Sequence, residues 1–373
     1  MPRRNRTPRY TDGGKRRVGG IPFHQRHRKL IVALLSVVIV IGFAGSSYAY
    51  LLNAKFKNID HVSTGKLKDK DRPDPDKGKA LNILLVGSDK GKKLGTAADD
   101  TTLEQDASAA KWPNGKYRSD TLMIVHITAD RKHVYLVSVP RDSFLTLYDG
   151  DGQPTRKEKV NGAFSYYGPT GTISTIEHLT NLRMSHLAII DWSGFKDLSA
   201  AVGGVPVYIP ETFTDPKQKK TWTKGDHLLK GNEALQYVRT RYGLLNGDFD
   251  RIARQQNFLR ALMKKMLSKG TMSNPVKLTR TLSALTANLT VDEDWVPGDM
   301  RALALSMRGI AADNVTFMTI PVAGTSTDPT AGSIVNINEA QSGELFTALK
   351  EDSIEDYLKK YPDAALEPPE EVN

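Results

Sequence analysis

The chain has 373 residues, a formal net charge of +10, eight histidines and no cysteine. Without cysteine, disulfides, thiol catalysis and Cys-ligated zinc are excluded, and the absence of any H-E-x-x-H or H-x₃-H pair speaks against a histidine-bound metal. The charge is uneven: residues 1–29 carry ten Lys/Arg against Asp12 alone, so the remainder is close to neutral.

Residues 1–29 contain Pro and Gly and no apolar period, and read as a disordered basic tail. From Leu30 to Leu52 no residue is charged, a length that spans a hydrocarbon core of about 30 Å as one helix. Tyr48 and Tyr50 suit the far interface, and the basic block predicts a cytoplasmic N-terminus with everything after residue 53 outside the cell. A signal peptide cleaved at Ser47-Tyr48-Ala49 is the competing reading, but the apolar run exceeds a usual h-region and favours an uncleaved anchor. Residues 53–79, charged and Pro-containing, read as an extracytoplasmic linker.

Beyond the linker, Ala80 to Val86 (ALNILLV), Thr121 to Thr128 (TLMIVHIT) and His133 to Val139 (HVYLVSV) read as buried strands, the last two paired as an antiparallel hairpin. Helices are expected at 160–167, 172–182 and 192–202, with strands at 187–190 and 205–209. Further helices at 232–237, 249–268, 275–288 and 298–309 precede a strand at 315–320. The fold class is therefore α/β: a three-layer sandwich, with a mixed central sheet and helices on both faces, preceded by a single transmembrane helix. The main domain is placed at 80–325, and 326–373 as a C-terminal extension whose acidic, Pro-rich end (LEPPEEVN) reads as a loose tail.

The chemistry gathers at strand ends. Asp89 follows the first strand (NILLVGSD) and Asp120 precedes the second (RSDT). If these strands are antiparallel neighbours, the two carboxylates converge, where they suit Mg²⁺ or serve as ordinary turn residues. Arg118 lies two residues before Asp120, on the same side of an extended chain. Arg141 and Asp142 follow the third strand in VSVPRDSF, as a phosphate ligand with a proton acceptor or as a local ion pair. Lys159 and Asn161 (KVNGAF) read as helix-start residues or further phosphate donors.

The stretch YVRTRYGLLNGDFDRIARQQ adds more cations. Arg239 and Arg241 share a face if the chain is extended there. Past Asp250 a helical period puts Arg251 and Gln255 at the edge of an apolar stripe of Ile252, Leu259, Leu262, Met263 and Met266. Arg254, Arg260, Lys264 and Lys265 are expected to face solvent. An inward guanidinium is costly unless an anion meets it, and its planar fork suits carboxylate and phosphate oxygens. The segment is thus a phosphate-binding floor or a structural network with Asp248 and Asp250.

Common motifs fail. GSDKGKK lacks the Walker spacing, Ser88 is not in G-x-S-x-G, and no G-x-G-x-x-G follows a strand. Aspartates, arginines and a glutamine without a good nucleophile suit holding a metal–pyrophosphate and stabilising charge during in-line displacement.

The ordered series NILLVGSD, RSDT, VPRDSF, KVNGAF, LAIIDWSGFKDLSAAVGGV, GNEALQYVRTR and DFDRIARQQNFLRAL resembles the LytR–CpsA–Psr family of cell-wall proteins, from Leu81 to Met266. The basic tail and single anchor are similar to that family's layout. The resemblance implies an α/β sandwich with an apolar pocket for a polyprenyl chain. It also implies a membrane-anchored extracytoplasmic phosphotransferase. Such an enzyme moves a glycopolymer (wall teichoic acid, capsule or a related polysaccharide) from a polyprenyl-pyrophosphate carrier to a peptidoglycan sugar hydroxyl, forming a phosphodiester. Asp89 and Asp120 match the family's metal ligands for Mg²⁺, with Mn²⁺ as the alternative. Arg118, Arg141, Arg239, Arg241 and Arg251, with Gln255, match the residues around the pyrophosphate. Arg118, Arg141, Arg239 and Arg241 together with Asp142 form the implied catalytic set, Asp142 or Asp120 assisting the incoming hydroxyl.

The chain departs from the pattern in three places. Lys90, Lys92 and Lys93 stand where many members have an arginine after GSD. An insertion separates Asp89 from Asp120 and reads as a solvated loop rather than a lid. Phe144 and Leu145 stand where a basic residue sometimes follows PRD.

The rival readings are a non-catalytic lipid or wall-binding anchor, a membrane-bound transcriptional regulator, and a polyprenyl-pyrophosphate hydrolase. Nucleic acid is not an expected partner, since only the basic tail would reach DNA and it cannot form a helix-turn-helix. Alkaline phosphatase fused after residue 373 is expected to be active in cells, and a fluorescent protein that folds only in the cytoplasm to stay dark. The reverse pattern would overturn the exported domain.

Overall fold

Strands buried on both faces need apolar residues at successive rather than alternate positions. NILLV, LMIV and YLV have that character, and all three lie inside the central sheet of the computed structural model. The structure describes residues 54–65, 67, 69–75, 78–90, 102–109, 111–240 and 248–372. The expected basic tail, the anchor at 30–52 and Arg241 lie outside the described residues.

In chain order the first elements are β1 (Asp60–Val62), β2 (Leu81–Lys90), α1 (Leu103–Ser108), β3 (Tyr117–Ile127), β4 (Val134–Val139), β5 (Phe144–Tyr148) and β6 (Pro154–Lys159). Next come α2 (Asn161–Thr180), β7 (His186–Asp191), α3 (Trp192–Ala201), β8 (Val205–Ile209), β9 (Phe213–Asp215), β10 (Lys220–Trp222) and β11 (Gly225–Leu229). The helices α4 (Asn232–Arg239), α5 (Asp248–Leu267), α6 (Lys269–Met272) and α7 (Pro275–Thr286) follow. The chain continues through β12 (Leu289–Asp292), α8 (Pro297–Ser306), β13 (Val315–Thr319), β14 (Val322–Asp328), β15 (Gly332–Ile337), α9 (Glu339–Lys350) and α10 (Ile354–Lys360).

The central sheet has seven strands in the order β1-β12-β7-β2-β3-β4-β13. It is mixed: β2 runs parallel to β7 and antiparallel to β3, and β13 runs parallel to β4. Leu84, Val86, Leu122 and Ile124 face one way, onto Phe164 and Ile176 of α2 and Leu345 and Leu349 of α9. Ile83, Met123, Leu136 and Ala188 face the other, toward Met300 of α8 and Leu259 and Met263 of α5. A third cluster joins α3, α4 and α5 around Phe258, Tyr237 and Trp222 beneath β8 and β11. The expected helices on both faces of a mixed sheet are present. The two helices expected between residues 160 and 182 form one element, α2, kinked at Gly168 (φ 67°), which precedes Pro169.

Three segments expected to be loose are built into the fold. Within the linker, β1 extends the sheet beside β12 with Val62 fully buried. Arg72 from the same segment donates to Glu177 at 2.9 and 2.6 Å and to the Met184 carbonyl at 2.8 Å. The part of the insertion at 102–117 is not a solvated loop. A capping box at Thr102 and Gln105 starts α1. Asp106 is buried against Lys116 at 2.6 Å and accepts from the Tyr117 hydroxyl at 2.9 Å. Burial and that carboxylate push the Tyr117 hydroxyl well above its ordinary value. Trp112 packs edge-on against Phe164 and lies where a Cβ on Gly168 would meet its ring at 2.7 Å, so only glycine allows this contact. The acidic tail is docked as well. The Leu366 amide donates to the Phe317 carbonyl at 2.7 Å, Arg260 donates to the Glu367 carbonyl at 2.8 Å, and Val372 is buried.

Arg72→Ala leaves the Glu177 carboxylate buried without its cation, and is expected to lower stability by about 3 kcal/mol. Denaturant unfolding of the purified protein measures this. An unchanged midpoint would mean that residues 69–75 are not part of the folded unit.

Candidate functional site

The site forms where β2 ends and β3 begins. Ladder pairing runs regularly from Leu81–Ile127 to Gly87–Thr121, then shifts so that Ser88 faces Ser119 and Asp89 faces Arg118. Asp120 is the extra residue of this bulge. Such bulges bend the strand and redirect side chains. The facing of the strand flips across it: Tyr117 and Leu122 contribute to the same core although an even number of residues lies between them. Arg118, adjacent to Tyr117, therefore alternates to the opposite face, that of Thr121. Gly87 permits the close strand approach, since a Cβ there would lie 3.0 Å from that of Thr121.

From Asp120 a chain of alternating charge runs outward. Arg141 Nη1 donates to Asp120 Oδ1 at 3.0 Å, Arg141 Nε lies 3.5 Å from Asp142 Oδ2, and Lys159 Nζ lies 3.7 Å from Asp142 Oδ1. Backbone bonds fix the geometry: the Asn161 amide donates to the Arg141 carbonyl at 3.1 Å and the Val160 amide to that of Ser143 at 2.8 Å. These side chains keep roughly a fifth of their surface exposed, between 18% and 23%, so the cluster is partly screened yet open to a ligand.

The helix α5 supplies the other wall. Gln255 accepts from the Thr121 hydroxyl at 3.4 Å and donates to the Val238 carbonyl at 3.2 Å, joining β3, α4 and α5 beside the bulge. Arg251, one turn earlier, is 2% exposed. Gln256 anchors the helix to the sheet through Ser138, the Met318 carbonyl and Thr319 at 2.7, 2.9 and 3.1 Å. Between α5 and the sheet lies an almost wholly apolar cavity of about 50 Å³, lined by Leu85, Gly87, Phe195, Val238 and Leu259, with Thr121 and Gln255 at its rim.

The structure thus gathers Asp120, Arg141 and Asp142, puts Gln255 next to them through Thr121, and sets Arg118 across from Asp89 in the ladder. Lys159, expected as a helix-start residue or a further phosphate donor, belongs to this cluster. Arg239 ends α4 as an exposed residue of its last turn, so the helical chain becomes extended only at Thr240. The side chains of Asp89 and Asp248 and all of Arg241 lie outside the described residues. Among the described residues no three His, Asp or Glu side chains converge as a metal cage.

One expectation is overturned. Arg254 does not face solvent: it is fully buried, its guanidinium 4.2 Å from the ring centroid of Phe213 and 5.2 Å from that of Tyr237. Burial pushes it below its ordinary pKa, opposed by Tyr237, Asp250 and Asp215. Arg260 is likewise only partly exposed and donates to Asn257 at 2.8 Å. The overlooked signal was Phe258, buried one turn after Arg254 and one turn before Leu262. Counting it widens the stripe to include Arg254.

Residues 47–351 match the LytR_cpsA_psr family. Over 353 residues the chain is 31% identical to the cell wall biosynthesis protein LcpA of Corynebacterium glutamicum, an alignment covering 85% of this chain and 64% of that longer relative. It is 28% identical over 273 residues to the polyisoprenyl-teichoic acid–peptidoglycan teichoic acid transferase TagU of Bacillus cereus, covering 71% of this chain and 81% of that one. The crystal structure of TagV from B. subtilis superposes with a TM-score of 0.58 at 25% identity, covering 74% of this chain and 98% of that one. The chain belongs to the LytR–CpsA–Psr family, and its mixed seven-stranded α/β fold is of the kind seen in that solved structure.

Arg254→Ala removes a buried cation and the packing of its stem, and is expected to cost about 2–4 kcal/mol in denaturant unfolding. Arg254→Met, which keeps the volume, is expected to cost less than half of that. Equal stability of both variants with the wild type would overturn the structural role given to this residue.

Proposed function

We propose that this protein is an extracytoplasmic phosphotransferase that moves a glycopolymer from a polyprenyl-pyrophosphate carrier to a sugar hydroxyl of peptidoglycan. The supporting observation is a juxtaposition: an apolar cavity has Thr121 and Gln255 in its lining, and Thr121 follows Asp120 of the Asp120–Arg141–Asp142–Lys159 chain. Such a site suits an amphiphile with an apolar tail and a phosphate head. The relatives' names point the same way, since TagU is a transferase of teichoic acid to peptidoglycan. The cavity is far smaller than a polyprenyl chain, so α5 has to tilt as the lipid enters.

A divalent cation is assigned to Asp89 and Asp120 by the chemistry of their carboxylates, the two residues lying where the paired strands β2 and β3 end and begin. When bound, Mg²⁺ would neutralise pyrophosphate oxygens. The protein's own residues do the rest. Arg141, steadied by Asp120, binds oxygens of the phosphoryl group that transfers, and Arg118 and Arg239, both exposed, add positive charge to the pyrophosphate. Asp142, held between Arg141 and Lys159, accepts the proton of the incoming hydroxyl. That oxygen bonds to the phosphorus bearing the polymer sugar, the bond from this phosphorus to the bridging oxygen breaks, and polyprenyl phosphate leaves. The apolar cavity keeps water from the reacting phosphorus on the lipid side.

The test uses the full-length protein in nanodiscs with a polyprenyl-pyrophosphate-linked glycan, a peptidoglycan oligomer and Mg²⁺. Polyprenyl phosphate release and a matching mass gain on the acceptor are expected together, and both stop on chelation. Arg141→Ala is expected to lower the rate by about 10²- to 10³-fold with an unchanged circular dichroism spectrum. Release without acceptor gain would replace transfer by hydrolysis. Lipid binding with neither would replace it by a non-catalytic anchor.

A further inference from the structure

A second and larger opening lies on the opposite face of the sheet. It is a cleft of about 500 Å³ between the β5–β6 ribbon, α2, β15 and α9, a size suited to small-molecule ligands. Its floor includes Leu145 and Phe346, which pack into the core on the α2 and α9 side. The apolar cavity described above is lined instead by Leu85 and Leu259, from the α5 side.

The cleft is tied directly to the charged cluster. The Val335 amide donates to the Asp142 carbonyl at 2.9 Å, and Ser143 bridges Val335. One residue further along each strand, Phe144 and Asn336 are already cleft walls. Any ligand filling the cleft therefore begins within a residue or two of Asp142.

The lining identifies the ligand's chemistry. Tyr148 and His178 stack in parallel, with centroids 3.7 Å apart and planes within 11°, and Phe144 adds a third ring. His178 Nδ1 donates to the Ser174 carbonyl at 2.8 Å, which leaves Nε2 of the neutral ring as an acceptor. Around these rings stand an amide (Asn336), a carboxylate (Glu339) and an ammonium (Lys157). Flat aromatic surfaces bordered by mixed donors and acceptors suit pyranose rings, which carry apolar C–H faces and equatorial hydroxyls. A lipid chain would not meet so polar a wall, and Glu339 opposes a polyanion.

We infer that this cleft binds the acceptor, a chain of hexopyranose sugars, and leads its hydroxyl to Asp142 from the face opposite the lipid. The inference rests on the transferase reading. In-line displacement requires the nucleophile and the leaving group on opposite sides of phosphorus, and two pockets on opposite faces that converge on one charged cluster provide that arrangement. The same layout accounts for Phe144 where a basic residue sometimes follows PRD: at this position the chain contacts sugar rather than phosphate.

The test uses the full-length protein in nanodiscs and two independent readouts. The first is saturation-transfer NMR with chitotetraose, a neutral oligomer of N-acetylglucosamine, without donor. Binding is expected for the wild type and lost in Gly343→Trp. That residue lies on α9 at the cleft, where an added Cβ meets nothing within 4 Å, so a bulky side chain is tolerated there and narrows the cleft mouth. Gly343→Ala controls for the backbone and is expected to bind like the wild type. The second readout is transfer kinetics. Gly343→Trp and Tyr148→Ala are expected to raise the KM for the peptidoglycan oligomer at least tenfold, with the KM for the lipid-linked donor within twofold. A raised donor KM with an unchanged acceptor KM would assign the cleft to the donor glycan and overturn the proposal. So would an absence of chitotetraose binding to the wild type, or binding untouched by Gly343→Trp. Failure of the wild type to release polyprenyl phosphate would count against the transferase reading alone, because the binding experiment does not depend on turnover.

Discussion

The pairing of β2 with β3 is the constraint on which the site depends. Two antiparallel strands in mid-sheet bring residues separated by a long insertion to one edge, and the register shift at Gly87 and Ser88 makes Asp120 the unpaired residue of a bulge. Without the bulge, strand alternation would continue unbroken from Leu122 to Tyr117, and Arg118 and Thr121 would face opposite sides. Thr121, in the regular register before it, reaches Gln255 on α5, while Asp120 within it holds Arg141. A single extra residue thus connects the apolar side of the sheet to the charged one.

Around that edge the molecule separates two environments that one pocket could not hold. The α5 side is small and apolar, and the α2–α9 side is larger and half polar. A sheet covered on both faces keeps them apart, and its strand ends are where they meet. The charged residues sit at that meeting line, partly exposed, where an ionic ligand avoids the full cost of entering a dry core.

Much of this was legible in the sequence, for physical reasons that differ by element. NILLV, LMIV and YLV read as strands because a sheet covered on both faces leaves continuous apolar runs. The antiparallel pairing of the strands that carry Asp89 and Asp120 is present in the structure, and the stripe on α5 gave the inward facing of Arg251 and Gln255. What was missed had weak local signals. The sequence of β6, PTRKEK, is charged and largely exposed, and it forms a strand only because β5 pairs with it. Three residues, DHV, became β1 because β12 offered an edge. The buried place of Arg254 runs against its charge, because the rings of Phe213 and Tyr237 shelter its guanidinium. The bulge itself depends on how closely two backbones approach at Gly87, which hydrophobic periodicity does not report.

The anchoring of α5 has a mechanical consequence. Gln256 fastens the helix to β4 and β13 by three hydrogen bonds, and Asn257 and Arg260 hold the carbonyls of Pro369 and Glu367 on another side. The cavity-facing residues Gln255 and Leu259 flank those fastenings along the helix. A helix held in its middle to the sheet and to the C-terminal segment cannot retreat bodily, so its freedom is to rock. Gln256 is then the fulcrum, and the helix a lever whose N-terminal arm carries Arg251. On the proposed function, a hydrocarbon wedging beneath Leu259 would tilt that arm, so that occupancy of the greasy side reaches the guanidinium through leverage rather than contact.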